Sequence, residues 1–124
     1  MKPGYTGMTR IIKATEYSWL GFRAAWRTES AFRQECILGL LMLPLAFLVG
    51  NTMFQVAMLI AVLALVIITE LLNSAVEAVV DRVGEEYHDL AGRAKDMGSA
   101  AVFVSLFLVV VVWSMMIIKN FFMA

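Results

Sequence analysis

From Cys36 to Thr69 this 124-residue chain carries no Asp, Glu, Lys or Arg. A stretch that long without charge, broken only by the turn signal Gly50-Asn51-Thr52, fits two passes through a bilayer, each needing about 20 apolar residues. Carboxylates then return abruptly in Glu70-Leu71-Leu72-Asn73-Ser74-Ala75-Val76-Glu77-Ala78-Val79-Val80-Asp81, with no turn signal between. A carboxylate entering hydrocarbon costs roughly 2.5–3.5 kcal/mol on insertion scales, so acids held there mark function. At about 100° per residue, Glu70, Asn73, Ser74, Glu77 and Asp81 share one helix face. Leu71, Leu72, Ala75, Val76, Val79 and Val80 take the rest.

The composition agrees. The chain is 61% hydrophobic and 16% charged, against about 45–50% and about 25% in a soluble domain. One domain, residues 1–124, is expected, as an all-α integral membrane protein. Net charge is zero, so no bulk field points to nucleic acid. The lone Cys36 reads as a small hydrophobe. No cleavable leader is read at the N-terminus, and the first span is expected to direct the chain to the membrane.

Residues 9–29 predict an amphipathic surface helix. Ile11, Ile12, Trp19, Phe22 and Trp26 fall on one side, and Arg10, Lys13, Glu16, Arg23 and Arg27 on the other, a pattern suited to the headgroup layer. Gly21 is a candidate bend. Spans are expected over about 31–49, 53–83 and 96–122, with Pro44 a tolerated kink in the first and Gly84 a stop for the second. Glu85 to Lys95 reads as a polar connection. Gly98-Ser99-Ala100-Ala101 permits close helix approach. Basic residues gather before the first span and around the connection. This predicts a cytoplasmic N-terminus and 85–95 connection and a periplasmic C-terminus. Three spans enclose a polar site poorly, so a homo-oligomer is expected.

Glu70 and Glu77 stand roughly 10 Å apart along a helix, too far to share one ion. The deeper Glu70 suits taking a proton from a lipid hydroxyl. Glu77 suits a Mg²⁺ carried by a phosphate-bearing ligand. Glu29 and Glu35 are further oxygen donors, Asn73 can orient a carboxylate, and Arg93 and Lys95 can offset phosphate charge. Against this stands a purely architectural polar interface. Glu85, Glu86 and Asp89 read more simply as a solvated loop, Tyr87 as an interfacial anchor and His88 as a bystander. No P-loop or protein-kinase motif occurs.

The run from Glu70 to Asp81-Arg82 closely resembles the signature of the small prokaryotic diacylglycerol kinases, as does Gly92-Arg93-Ala94-Lys95-Asp96-Met97-Gly98-Ser99-Ala100-Ala101. The segment Thr9-Arg10-Ile11-Ile12-Lys13-Ala14, with Ala24-Ala25-Trp26 and Ala31-Phe32-Arg33-Gln34-Glu35, resembles the Gram-negative form. The resemblance implies a homotrimeric inner-membrane enzyme moving the γ-phosphoryl of MgATP to diacylglycerol, with sites formed between protomers. It implies Glu70 as proton acceptor and Glu29 and Glu77 as Mg²⁺ ligands. ATP contacts would come from Arg10, Tyr17, Glu29, Glu77, Glu86, Tyr87, His88, Lys95 and Asp96. Asn73 and Asp81 would support the site, and Arg10, Glu35, Glu70, Ser99 and Trp113 would lie along the lipid. Undecaprenol kinases share the acidic signature and remain the nearest rival. A small proton-coupled transporter would use four spans and one acid. A scaffold would leave the acidic face unexplained.

Overall fold

The computed structural model describes residues 4–84 and 88–123. Four helices follow in order: α1 (Gly7–Thr28), α2 (Ser30–Val49), α3 (Met53–Val83) and α4 (Asp89–Ile117), the last continued by a π-helical turn, Ile118–Phe122. Three of these are long and apolar enough to cross a membrane: Ser30–Val49, Met53–Val83 and Asp89–Phe122. No strand occurs among the described residues. The all-helical architecture expected from the sequence is the one observed.

Helix α3 is the axis of the protein, packing most extensively against α4 and next against α2. A small core forms where Ala46 of α2, Leu59 and Val62 of α3 and Trp113 of α4 meet. Leu40, Leu48, Phe54, Phe103, Phe107 and Val110 are more than half exposed. A large outward apolar surface on helices with internally paired backbones is what lipid requires.

The loops close the bundle with polar clasps. Thr52 caps α3 by accepting from the amide of Gln55 (3.1 Å). The Gln55 Oε1 accepts from the Asn51 amide (2.8 Å) and from Asn120 Nδ2 (2.9 Å). Asn120 Nδ2 also donates to the Val49 carbonyl (2.7 Å), tying the end of α2 to the π-helical turn. At the other end α3 stops at Gly84 (φ 158°, ψ 166°), a conformation reserved almost wholly for glycine.

Pro44 lies within the first span as expected, and two features depart from expectation. Gly21 does not split α1, which runs unbroken to Thr28. A single mid-helix glycine costs only about 1 kcal/mol, too little to break six turns. Finally, α4 begins at Asp89, so residues 89–95 are its first two turns and not a connection. His88 nucleates them: its Nδ1 accepts from the Leu90 amide (3.1 Å), one of the four donors a helix start leaves orphaned.

Candidate active site

The site begins where α1 meets α2. Glu29 alone separates the helices, in extended geometry (φ −119°, ψ 107°), ending one helix and preceding the next. Arg33, one turn into α2, reaches back. Its Nη1 donates to the carbonyls of Trp26 (2.7 Å) and Arg27 (3.4 Å). A cation on the last carbonyls of a helix satisfies orphan acceptors and complements the dipole. The corner is thereby held, with Glu29 and Glu35 half-buried along it.

Across the corner lies the acidic face of α3. Taken from Met53 at about 1.5 Å per residue, Glu70 lies about 26 Å along α3 and Glu77 about 36 Å. The hydrocarbon is about 30 Å thick. Measured along α3, Glu70 thus lies short of that thickness and Glu77 beyond it. Glu70 is 5% exposed. The carboxylates of Glu35, Glu29 and Glu77 all stand close enough to act on it electrostatically, and no hydrogen-bond donor reaches it among the described residues.

Helix α4 lines the other side. Gly98 lies so close to α3 that an added Cβ would collide with Asn73 Oδ1, with Asn73 Cγ at 3.1 Å. Asn73 Nδ2 donates weakly to Glu77 Oε1 (3.4 Å). The Asn73 Oδ1 is buried without a hydrogen-bond partner. Farther out, Lys95 Nζ pairs with Asp81 Oδ1 at 2.9 Å. Deeper in, Thr69 Oγ1 and Ser105 Oγ meet at 2.9 Å.

The fold thus gathers Glu29, Glu35, Glu70, Asn73, Glu77, Asp81 and Lys95 at one end. Asp96 and Ser99 are exposed nearby on α4, and His88 is an exposed helix cap. Arg10 and Tyr17 are exposed on α1, about 28 and 18 Å along it from Glu29. Glu86 and Tyr87 lie outside the described residues. Trp113, expected along the lipid, is a core residue. It is 6% exposed and donates from Nε1 to the Leu59 carbonyl (3.3 Å). Leu59 is about 16 Å deeper along α3 than Glu70. An indole whose N–H finds a buried acceptor is satisfied by burial.

Sequence reasoning passed over Thr69, Ser105 and the capping role of Arg33. The hydroxyl pair joins residues 36 positions apart, and only the α3–α4 register reveals it. Arg33 carried a legible signal, a basic residue just past a helix end.

The arrangement can attract a cation and accept a proton at adjacent depths. No group of three or more His, Cys, Asp or Glu side chains capable of holding a metal ion occurs among the described residues. Magnesium that arrives on phosphates needs only one or two protein carboxylates, and Glu29 and Glu77 fit that demand. The unpartnered Asn73 Oδ1 adds one more oxygen beside Glu77.

Residues 16–117 match the family model described as prokaryotic diacylglycerol kinase. The chain is 52% identical over 116 residues to a diacylglycerol kinase of Escherichia coli K12, covering 94% of this chain and 95% of the relative. It is 50% identical over 108 residues to that of Haemophilus influenzae, covering 87% and 92%. With the Pseudomonas aeruginosa enzyme it shares 52% over 111 residues, 90% of each chain. Spanning nearly the full length of these relatives and the helices that carry the acidic face, the chain belongs to the prokaryotic diacylglycerol kinase family.

Proposed function

We propose that this membrane protein transfers the γ-phosphoryl group of ATP to the free hydroxyl of 1,2-diacylglycerol, giving phosphatidic acid in a bacterial inner membrane. The observation carrying this reading is Glu70, buried on the acidic face of α3 without a hydrogen-bond donor among the described residues, and near enough to Glu35, Glu29 and Glu77 to feel their charges. A lipid hydroxyl sits at the depth of Glu70, and a water-soluble nucleotide reaches Glu77 from the headgroup side.

Glu70 takes the hydroxyl proton as the lipid oxygen bonds to the γ-phosphorus. The bond from phosphorus to the bridging oxygen breaks, and ADP leaves. Glu29 and Glu77 would hold Mg²⁺, whose charge neutralises the phosphate oxygens when bound. Asn73 orients Glu77. Lys95, steadied by Asp81, offers positive charge to the phosphates, with Asp96, His88, Glu86 and Tyr87 as further nucleotide contacts. Arg10, Glu35 and Ser99 lie along the lipid. Positioning and charge compensation are what phosphoryl transfer chiefly asks of a protein.

The distance of Arg10 and Tyr17 from Glu29 along α1 supports a homotrimer, in which one chain's surface helix completes a partner's site. The basic residues around the cytoplasmic ends favour an internal N-terminus and 85–95 connection, with the C-terminus periplasmic. The exposed Ile11, Ile12, Trp19, Phe22 and Trp26 suit α1 to the headgroup layer.

The test is phosphate transfer from labelled ATP in mixed micelles, with diacylglycerol and undecaprenol offered separately and Glu70→Gln beside the wild type. Phosphatidic acid from the wild type alone is expected. Undecaprenyl phosphate as the sole product would reassign the substrate, and near-normal turnover in Glu70→Gln would remove Glu70 as the base.

A further inference from the structure

Directly beside Glu70, two hydroxyls join α3 to α4. Ser105 is 1% exposed, and its Oγ lies 2.9 Å from Thr69 Oγ1. Each hydroxyl also faces a carbonyl of its own helix, Thr69 donating to Val66 O (2.9 Å) and Ser105 to Val102 O (2.7 Å). Two hydroxyls own two protons, yet three contacts compete for them. The contact between helices forms only when one hydroxyl turns from its carbonyl. That carbonyl keeps its helical amide partner, so nothing is stranded.

The acceptor on α3 matters most. In α-helical pairing the Val66 carbonyl receives the amide of Glu70 itself. Thr69 therefore shares an acceptor with the backbone of the proposed base, and such back-bonding alters local helix curvature. Glu70 stands about 100° around α3 from Thr69. Holding Thr69 against α4 turns Glu70 away from α4, toward Glu29 and Glu35. Nearer the headgroups the same seam carries Asn73 against Gly98 and Asp81 against Lys95. Deeper in, the α3–α4 packing around Leu59 and Val62 is apolar apart from the Trp113 hydrogen bond, until Asn120 meets Gln55 at the far end.

We propose that Thr69 and Ser105 are positioning residues for phosphoryl transfer: their hydroxyl contact fixes the rotation of α3 that aims Glu70 at the lipid hydroxyl. The inference rests on the reading of Glu70 as the base. Both residues act through Glu70 and touch no substrate.

The experiment uses the full chain in mixed micelles, comparing wild type, Glu70→Gln, Thr69→Val, Ser105→Ala, the Thr69→Val/Ser105→Ala double variant and Thr69→Ser. It measures kcat, both KM values and the thermal midpoint. Each single hydroxyl loss is expected to lower kcat about fivefold, since misplacing reacting groups by an ångström costs on the order of 100-fold. KM and midpoint should stay near wild type. The double variant should be no slower than the slower single, because one contact is lost in each, and Thr69→Ser should return kcat to within twofold. Single variants within twofold of wild type would overturn the positioning role, as would losses that multiply in the double variant or that follow a falling midpoint. A wild type that transfers no phosphate, or a fully active Glu70→Gln, would overturn the underlying reading together with this one.

Discussion

Replacing Gly98 by alanine separates stability from activity at a single methyl group. The three atoms nearest an added Cβ all belong to the Asn73 side chain, with Oδ1 in collision, Cγ at 3.1 Å and Cβ at 3.6 Å. The obstacle is thus the far end of a rotatable side chain and not backbone. Asn73 can swing aside, at an off-rotamer cost of about 0.5–1.5 kcal/mol. It would also lose its long hydrogen bond to Glu77 (3.4 Å), an i,i+4 contact within α3 worth about 0.2–0.5 kcal/mol. Alanine in place of glycine within a helix returns about 1 kcal/mol. The terms nearly cancel, so Gly98→Ala should unfold within about 1 kcal/mol of wild type. Activity should not survive as well, because the displaced Asn73 no longer steadies Glu77. A fall in kcat of about tenfold or more is expected from misalignment of that size. Thermal unfolding in detergent and initial rates in mixed micelles measure the two quantities on one preparation. Combining Gly98→Ala with Asn73→Ala should be no slower than Asn73→Ala alone. Full activity in Gly98→Ala would refute the link between Asn73 placement and turnover. A loss of more than about 3 kcal/mol would show that the helices themselves were forced apart.

Two further outcomes test other parts of the site. Glu77→Gln should raise the Mg²⁺ concentration needed for half-maximal rate while leaving the lipid KM unchanged; an unaltered Mg²⁺ titration would remove Glu77 as a ligand. Trp113→Phe should lower stability by about 1–2 kcal/mol, from a lost hydrogen bond and a smaller core ring, and leave kcat intact. A slowed enzyme of normal stability would return Trp113 to the lipid path.

The spans were legible because charge is so costly in hydrocarbon that its absence from Cys36 to Thr69 admits few other folds. The acidic face was legible because helical periodicity alone groups Glu70, Asn73, Glu77 and Asp81. The first turns of α4 were hidden by polarity: Asp89, Arg93 and Lys95 resemble a loop in composition, and the residue capping them is a histidine instead of the usual Ser, Thr, Asp or Asn. The burial of Trp113 was not legible, because an aromatic in a span suits lipid and core equally until a buried acceptor, here the Leu59 carbonyl, is seen. Contacts such as Thr69 with Ser105 depend on how far α4 slides along α3, a register that no periodicity within either helix encodes.

The uncovered apolar side of α1 has a consequence for how turnover scales. Met8, Ile11, Ile12 and Trp19 are more than half exposed, so this helix is complete only against an amphiphile. An enzyme seated that way meets its alcohol substrate by lateral diffusion within a film, while the nucleotide arrives from a volume. Its rate should accordingly track the mole fraction of diacylglycerol in the film. Adding inert detergent at constant total lipid should slow the reaction by surface dilution, although no bulk concentration of substrate or enzyme has changed.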